Sequence, residues 1–188
     1  MILRDDDVES ISCSFCEDNL VRVGCIGDGS CFFHAIMKGF HGPYQENNNY
    51  SARKSVARRF RESLADDLPE TIYNSTPLQD YSTNNVEMVG SNHDFSINGI
   101  RKLFRSRDYV GQEVFELVGI MIGINIYGLS LVDGKLFPFF IPKVKRDYSC
   151  VIVVMVNEIH YELIARRVDD GYQTLFDKDD SLIKKIDN

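Results

Sequence analysis

Ten residues, Gly27-Asp28-Gly29-Ser30-Cys31-Phe32-Phe33-His34-Ala35-Ile36, constrain this chain more than any other stretch. Gly27 and Gly29 permit backbone angles that other residues resist, so the chain can turn sharply and present its N–H groups. The apolar run that follows, Phe32, Phe33, Ala35, Ile36, Met37 and Phe40, reads as a buried helix that opens at Cys31. A thiol in the first turn of a helix feels the positive end of its dipole, so the sequence predicts a lowered Cys31 pKa and a raised thiolate fraction. That is a site for a nucleophile. The competing reading is a small buried hydrophobe, the usual fate of a cysteine.

Two phosphate-binding readings of the glycines fail. A dinucleotide fingerprint needs a third glycine where Phe32 stands, and no Gly-Lys-Ser/Thr follows for a P-loop. The local signatures of papain-type and caspase-type cysteines are absent too. The chain of 188 residues suits one domain with a sizeable core. Its hydrophobic share of 44% and charged share of 26% are ordinary for a globular domain. The net charge of −7 gives nucleic-acid binding no global support, and an acidic surface suits a basic partner. With Asp5-Asp6-Asp7 after the start and no long apolar run, neither a secretory signal nor a membrane span is expected. Five irregularly spaced cysteines (13, 16, 25, 31 and 150) point to a reducing, cytoplasmic setting.

Along the chain, residues 1–19 read as a short helix or a loosely held arm. Cys13 and Cys16 have metal-ligand spacing without a second pair to complete a zinc site. Leu20 to Ile26 is β-prone and delivers the chain to the glycine turn. His41 to Asn49 reads as a polar break. Ser51 is expected to cap a helix whose apolar face is Ala52, Val56, Ala57, Phe60 and Leu64, with Arg53, Lys54, Arg58, Arg59 and Arg61 on a solvated face. Short helical pieces and loops are expected over 66–95, where His93 falls in a polar break. A further helix is expected after Ser96, and another over Val114–Ile122 ended by Gly123. Strands follow, with Asp133-Gly134 as a hairpin turn and Val151–Val156 as a central strand covered on both faces. The last twenty residues suggest a closing strand or short helix. Helices first and a mostly β second half give an α/β or α+β sandwich.

The strand Ile159–Ala165 carries the second half of a site. Alternation puts His160 and Glu162 on one face. A carboxylate there can fix the imidazole tautomer, leaving the other ring nitrogen to take a proton from a thiol. The plain alternative is a strand histidine beside a solvated glutamate. Cysteine, then histidine, then a carboxylate two residues on is the order a cysteine hydrolase needs. His34, one turn after Cys31, is read as a packing residue.

These residues resemble the ovarian-tumour (OTU) family of deubiquitinating proteases. Gly27–Ile36 resembles its cysteine box, Val153–Ile164 its histidine box, and Tyr109-Val110-Gly111-Gln112-Glu113 its Trp-Gly-Gly-Glu segment. The likeness spans about residues 20–166 of a single 1–188 domain, with 1–19 as an N-terminal arm and 167–188 as a closing segment. It implies a papain-like fold with a central, mostly antiparallel β-sheet flanked by helices. It also implies thiol hydrolysis of the isopeptide or peptide bond after ubiquitin's C-terminal glycine, without metal or organic cofactor. Carried over, Cys31 is the nucleophile, His160 the base, Asp28 the shaper of the cysteine loop and Glu162 the orienter of His160. Backbone N–H groups of Gly29, Ser30 and Cys31 form the oxyanion hole, and Tyr109 and Gly111 contact substrate. Ser30 departs from the family's Asn, Tyr109-Val110 from Trp-Gly, and Glu162 from Asp or Asn. The partners implied are ubiquitin or polyubiquitin and ubiquitin-like modifiers, with no nucleic acid and no membrane, for a monomeric protein. A compact domain of this kind suits a viral or bacterial effector acting in a host cytoplasm. Three rivals stay open: a ubiquitin-binding module without catalysis, a thiol hydrolase acting on another modifier, and a structural domain.

Overall fold

A computed structural model describes residues 1–12, 19–78 and 94–188. Two strands, β1 (Val8–Ser10) and β2 (Leu20–Val23), precede four helices, α1 (Cys31–Phe40), α2 (Gly42–Gln45), α3 (Tyr50–Asp66) and α4 (Glu70–Asn74). Next come α5 (Ile97–Arg105), a single 3-10 turn at Gln112–Val114 and α6 (Phe115–Ile122). The second half contributes β3 (Asn125–Val132), β4 (Lys135–Phe140), β5 (Cys150–Val156), β6 (His160–Val168), β7 (Gly171–Gln173) and α7 (Ser181–Ile186). Among the described residues the strands form one sheet in the order β1-β2-β6-β5-β3-β4, with β7 paired to β6. Only β3 and β5 run parallel.

Alternation along β5 explains why its sequence is continuously apolar. Val151 and Val153 pack into a core with α1, α5 and α6, whereas Cys150, Ile152, Val154 and Val156 pack into a second core closed by Leu182, Ile183 and Ile186 of α7. A strand buried on both faces cannot afford polar positions. Two-residue turns at positive φ then fold the strands back: Asp133 and Gly134 (φ 50° and 74°) join β3 to β4, and Asn157 and Glu158 (φ 52° and 62°) stand between β5 and β6. The second of these turns sets where β6 begins, and hence where His160 stands.

The helix ends follow local chemistry with one change. Ser96 caps α5, its hydroxyl accepting from Gly99 N–H, and Gly123 ends α6 in the left-handed region. The cap of α3 is Asn49, whose side chain accepts from Ala52 N–H, so Ser51 lies inside the helix instead of before it. The expected polar break after α1 holds the short α2, capped by His41. The pair Cys13 and Cys16, His93 and the expected loops of residues 79–93 lie outside the described residues.

Over residues 1–7 the amino-terminal arm is held firmly, not loosely. Its backbone runs across Gly24, where Asp6 N–H donates to Gly24 O and Gly24 N–H to Asp7 O; a Cβ on Gly24 would lie 1.8 Å from the Arg4 carbonyl oxygen. Asp5 pairs with Lys38 of α1 (2.8 Å) and Arg53 of α3 (3.0 Å), and Asp6 pairs with both. Lys38 and Arg53 are only 4% and 3% exposed. Arg53 and Arg61 therefore depart from the solvated face expected of them, because helical spacing cannot tell which long side chains reach a buried partner. Removing one member of a buried ion pair costs about 3–5 kcal/mol. Deleting residues 1–7 should accordingly lower unfolding stability by at least about 3 kcal/mol, read from urea melts; an unchanged midpoint would show that the arm only decorates the surface.

Candidate active site

Cys31 is the first residue of α1, and the helix is seated at both ends. At its start the Phe32 ring stacks on Phe115 of α6 (4.5 Å, 9° between planes) and meets Tyr161 of β6 edge-on (5.7 Å). Near its end Gly39 lies so close to β5 that a Cβ would stand 2.9 Å from the Val151 methyls. This close seat puts the Cys31 thiol at the backbone of β6, close enough to Tyr161 for its N–H to favour the thiolate. The expected drop in thiol pKa does not occur. Burial raises it; the N–H groups of Tyr161, Phe32 and Cys31 pull the other way without prevailing. The helix end supplies its donors as foreseen, but dehydration of the thiolate outweighs them.

His160 opens β6, one residue before Tyr161, and is buried. Its ring lies beside Gly27, where an added Cβ would approach Nδ1 and Cε1 at 3.7 Å. Burial lowers its pKa, partly opposed by a hydrogen bond to the Cys25 backbone. Nε2 is buried with no hydrogen-bond partner among the described residues. The thiol and imidazole are thus both held toward their neutral forms, with one ring nitrogen unspent.

Glu162 is fully buried, and its hydrogen bonds run to other groups than the ring. Oε1 accepts from Leu3 N–H at 2.7 Å and Oε2 from Arg22 Nη1 at 2.9 Å. Arg22 is also held by Glu9 and donates to the Met1 carbonyl. Burial raises the Glu162 pKa against the pull of Leu3 N–H and Arg22. In this geometry the carboxylate ties the N-terminal arm to the strand that carries His160, and any hold on the ring passes through the backbone.

The loop before Cys31 is braced from two sides. Asp28 Oδ1 accepts from Ser30 N–H (3.1 Å), an Asx-type turn, and from His34 Nε2 (3.2 Å); the other His34 nitrogen bonds the Tyr44 hydroxyl. These bonds hold the Asp28 pKa low against its partial burial. Ser30 N–H is thereby occupied by Asp28. From the other side Arg61, 1% exposed, donates to Gly29 O (3.2 Å), Ser30 Oγ (3.0 Å), Phe104 O (3.0 Å), Leu103 O (2.8 Å) and Asp108 O (3.1 Å). Its guanidinium also lies over the Phe33 ring. Burial with neutral acceptors pushes its pKa down to about 10. Gly29 sits at φ +82°, and a Cβ there would lie 2.0 Å from Arg107 O, so glycine is required on both counts. Arg61 was missed in the sequence because it reads as one of five basic residues on α3. Its spacing from the apolar positions carries no signal of five long-range acceptors.

Tyr109 completes the wall. Its ring stacks on Tyr161 (5.4 Å, 7°) and its hydroxyl approaches Met155 Sδ at 3.7 Å, while burial raises its pKa to about 12. Gly111 N–H donates to Glu113 Oε1 (3.0 Å), closing a tight turn beyond Tyr109. The structure therefore gathers Cys31, Asp28, His160, Tyr109 and the Gly29–Ser30 loop around the start of β6, with Glu162 beneath the strand and Gly111 on the adjoining turn.

These features define a mixed α/β domain with a central sheet flanked by helices, a cysteine opening α1 and a histidine opening β6. No protein-family model matches the chain, and no curated protein matches it in sequence. Solved structures do. An OTU domain in complex with ubiquitin superposes with a TM-score of 0.54 at 16% identity, over 99% of this chain and 90% of that one. An OTU deubiquitinase of Wolbachia pipientis bound to ubiquitin gives a TM-score of 0.50 at 16% identity, over 80% and 98%. The chain has the fold of the OTU domains.

Two outcomes follow from the bracing. Arg61→Lys keeps a cation but cannot span five acceptors, so amide hydrogen exchange over Gly29–Cys31 should accelerate at least about tenfold, with a stability loss of about 1–3 kcal/mol for the carbonyls left unpaired. Unchanged exchange in that segment would mean Arg61 does not brace it. Glu162→Ala leaves Arg22 only its half-exposed ion-pair partner Glu9 and frees the Leu3 N–H, and should cost about 3 kcal/mol in denaturant melts, whereas Glu162→Gln, which still accepts from Leu3 N–H, should cost less.

Proposed function

We propose that this protein is an OTU-type cysteine deubiquitinase that hydrolyses the isopeptide or peptide bond after ubiquitin's C-terminal glycine. The observation that carries the reading is a thiol at the first residue of α1 lying at Tyr161 of β6, one residue after a buried His160 that keeps one ring nitrogen unspent. The OTU-like fold and its ubiquitin-bound representatives support the substrate class.

In the proposed reaction Cys31 Sγ attacks the carbonyl carbon of the last glycine while its proton passes to His160. The Gly29 and Cys31 N–H groups receive the oxyanion, where each preorganised donor contributes up to about a hundredfold or more in rate. The C–N bond then breaks, and His160 returns the proton to the departing lysine amine. Water hydrolyses the thioester, regenerating the thiol and releasing ubiquitin's carboxylate. Tyr109 and Gly111 line the approach of the glycine tail, and Glu162 positions the histidine strand from below. The working compartment proposed is the cytoplasm, where the thiols of Cys25, Cys31 and Cys150 stay free.

The decisive test is incubation with ubiquitin bearing a C-terminal electrophile, read by mass. Wild type should gain one ubiquitin and Cys31→Ala none; an adduct in the mutant sinks the assignment. The pH profile is a second check. His160 must be neutral to accept the proton, and burial lowers its pKa, so the acid limb of kcat/KM should fall below the ordinary histidine value of 6.5. A limb at or above that value would argue that another group is the base.

A further inference from the structure

The reaction uses one side of the Asp28–Cys31 loop. On its other side, between α3 and the segment that follows α5, lies an open cavity of about 320 Å³. Lys54, Arg58, Arg61, Arg105 and Arg107 line it, with Asp28 as its one carboxylate. Hydroxyls of Ser30, Ser55 and Ser106 complete the lining, and no apolar side chain contributes. In a chain of net charge −7, five cations around one polar hollow are a local reversal of sign.

The neighbouring carboxylates do not neutralise it. Arg58 reaches Glu62 at 3.8 Å, Lys54 reaches Asp28 at 3.9 Å, and Arg105 pairs with Asp66. All three cations are more than 40% exposed, and exposed pairs of this kind hold weakly and exchange readily. Arg107 and Arg61 have no carboxylate at ion-pair distance among the described residues. Arg61 is buried with all five N–H groups spent on carbonyls and a hydroxyl, so it lends the hollow charge, while the exposed forks of Arg58, Arg105 and Arg107 supply the donors. A buried guanidinium without a counter-charge is costly, and an anion in the hollow would supply one.

We propose that this cavity is an anion site that takes phosphate groups, presented by a free oligophosphate or by a phosphorylated side chain. Arginine forks match phosphate oxygens in pairs, and serine hydroxyls supply the single donors that phosphate sites also use. The volume holds about ten waters at about 30 Å³ each, room for more than one phosphate group. Because Arg61 and Ser30 belong to both the cavity and the loop before Cys31, occupancy would stiffen that loop. The site does not depend on Cys31 being a nucleophile, so it can fail or stand apart from the reaction proposed above.

The test is calorimetric titration of the wild-type protein with sodium pyrophosphate, and separately with a phosphoserine peptide, against sodium chloride at matched ionic strength. Saturable one-to-one binding below about 1 mM is expected for at least one of the two, and which one binds identifies the source. In the double variant Arg58→Ala, Arg107→Ala, built on exposed side chains, affinity should fall at least tenfold while the unliganded melting temperature stays near that of wild type. If the double variant does not fold, Lys54→Ala, also on an exposed side chain, should weaken binding at least threefold. Heat no greater than that of matched chloride, or equal binding by wild type and variants, would overturn the site. So would retention of an oligonucleotide without pyrophosphate binding, since that is a surface reading backbone charge instead of a pocket.

Discussion

The close seat of α1 on the sheet is the contact on which the rest of the site depends. Helix and strand can approach so nearly only because Gly39 has no side chain to hold them apart from Val151, and because Phe32, Phe115 and Tyr161 fill the other end of the contact with stacked and edge-on rings. Such aromatic packing is specific in geometry as well as large in buried area. It delivers Cys31 to the backbone of β6 without any residue of the site having to pull it there. The same burial then sets the electrostatics: it raises the pKa of the Cys31 thiol and lowers that of the His160 imidazole, favouring the neutral form of each.

Around that seat, charged side chains act as struts placed behind the site. Arg61 ties the cysteine loop to the end of α5 and the segment beyond it. Lys38 and Arg53 tie α1 and α3 to the amino-terminal arm, and Arg22 and Glu162 tie the same arm to β6. Each strut is buried or nearly so, and each would be expensive to leave half-made. The arrangement joins both halves of the candidate site, the cysteine helix and the histidine strand, to one short stretch of chain at Met1–Asp7. It also explains why the basic residues of α3 divide into two groups. Arg53 and Arg61 turn inward as struts, while Lys54 and Arg58 turn outward to line the cavity beside Asp28.

Much of the frame could be read before the structure. The continuous apolar run of β5, the Asp133-Gly134 turn, the Ser96 cap and the Gly123 terminus are local signals, and local signals survive into the fold because turns and caps are decided within a few residues. The cap at Asn49 in place of Ser51 is a two-residue error of the usual kind, since several polar residues precede α3 and only tertiary placement selects among them. The sequence places the His34 ring in packing, and it is buried; that it also links Asp28 to Tyr44 depends on the position of α2. The strut roles of Arg61 and Glu162 were out of reach, because their partners lie 31 to 47 and 140 to 159 residues away, respectively.

The sequence by itself determined the glycine turn, a helix opening on Cys31, and a strand over Ile159–Ala165 after a tight turn, which in the structure begins at His160. It did so because backbone freedom and hydrophobic period are properties of neighbouring residues. Tertiary structure alone decided the direction of the thiol's pKa shift, since burial is a property of what surrounds a group and here it exceeds the pull of the helix end. It also decided that Ser30 N–H goes to Asp28, that Glu162 faces Arg22 and Leu3, and that five cations on α3, the end of α5 and the residues just beyond it meet in one hollow. Those outcomes depend on which distant segments the packing of α1 against β5 and β6 brings within a few ångströms, and no spacing along the chain encodes them.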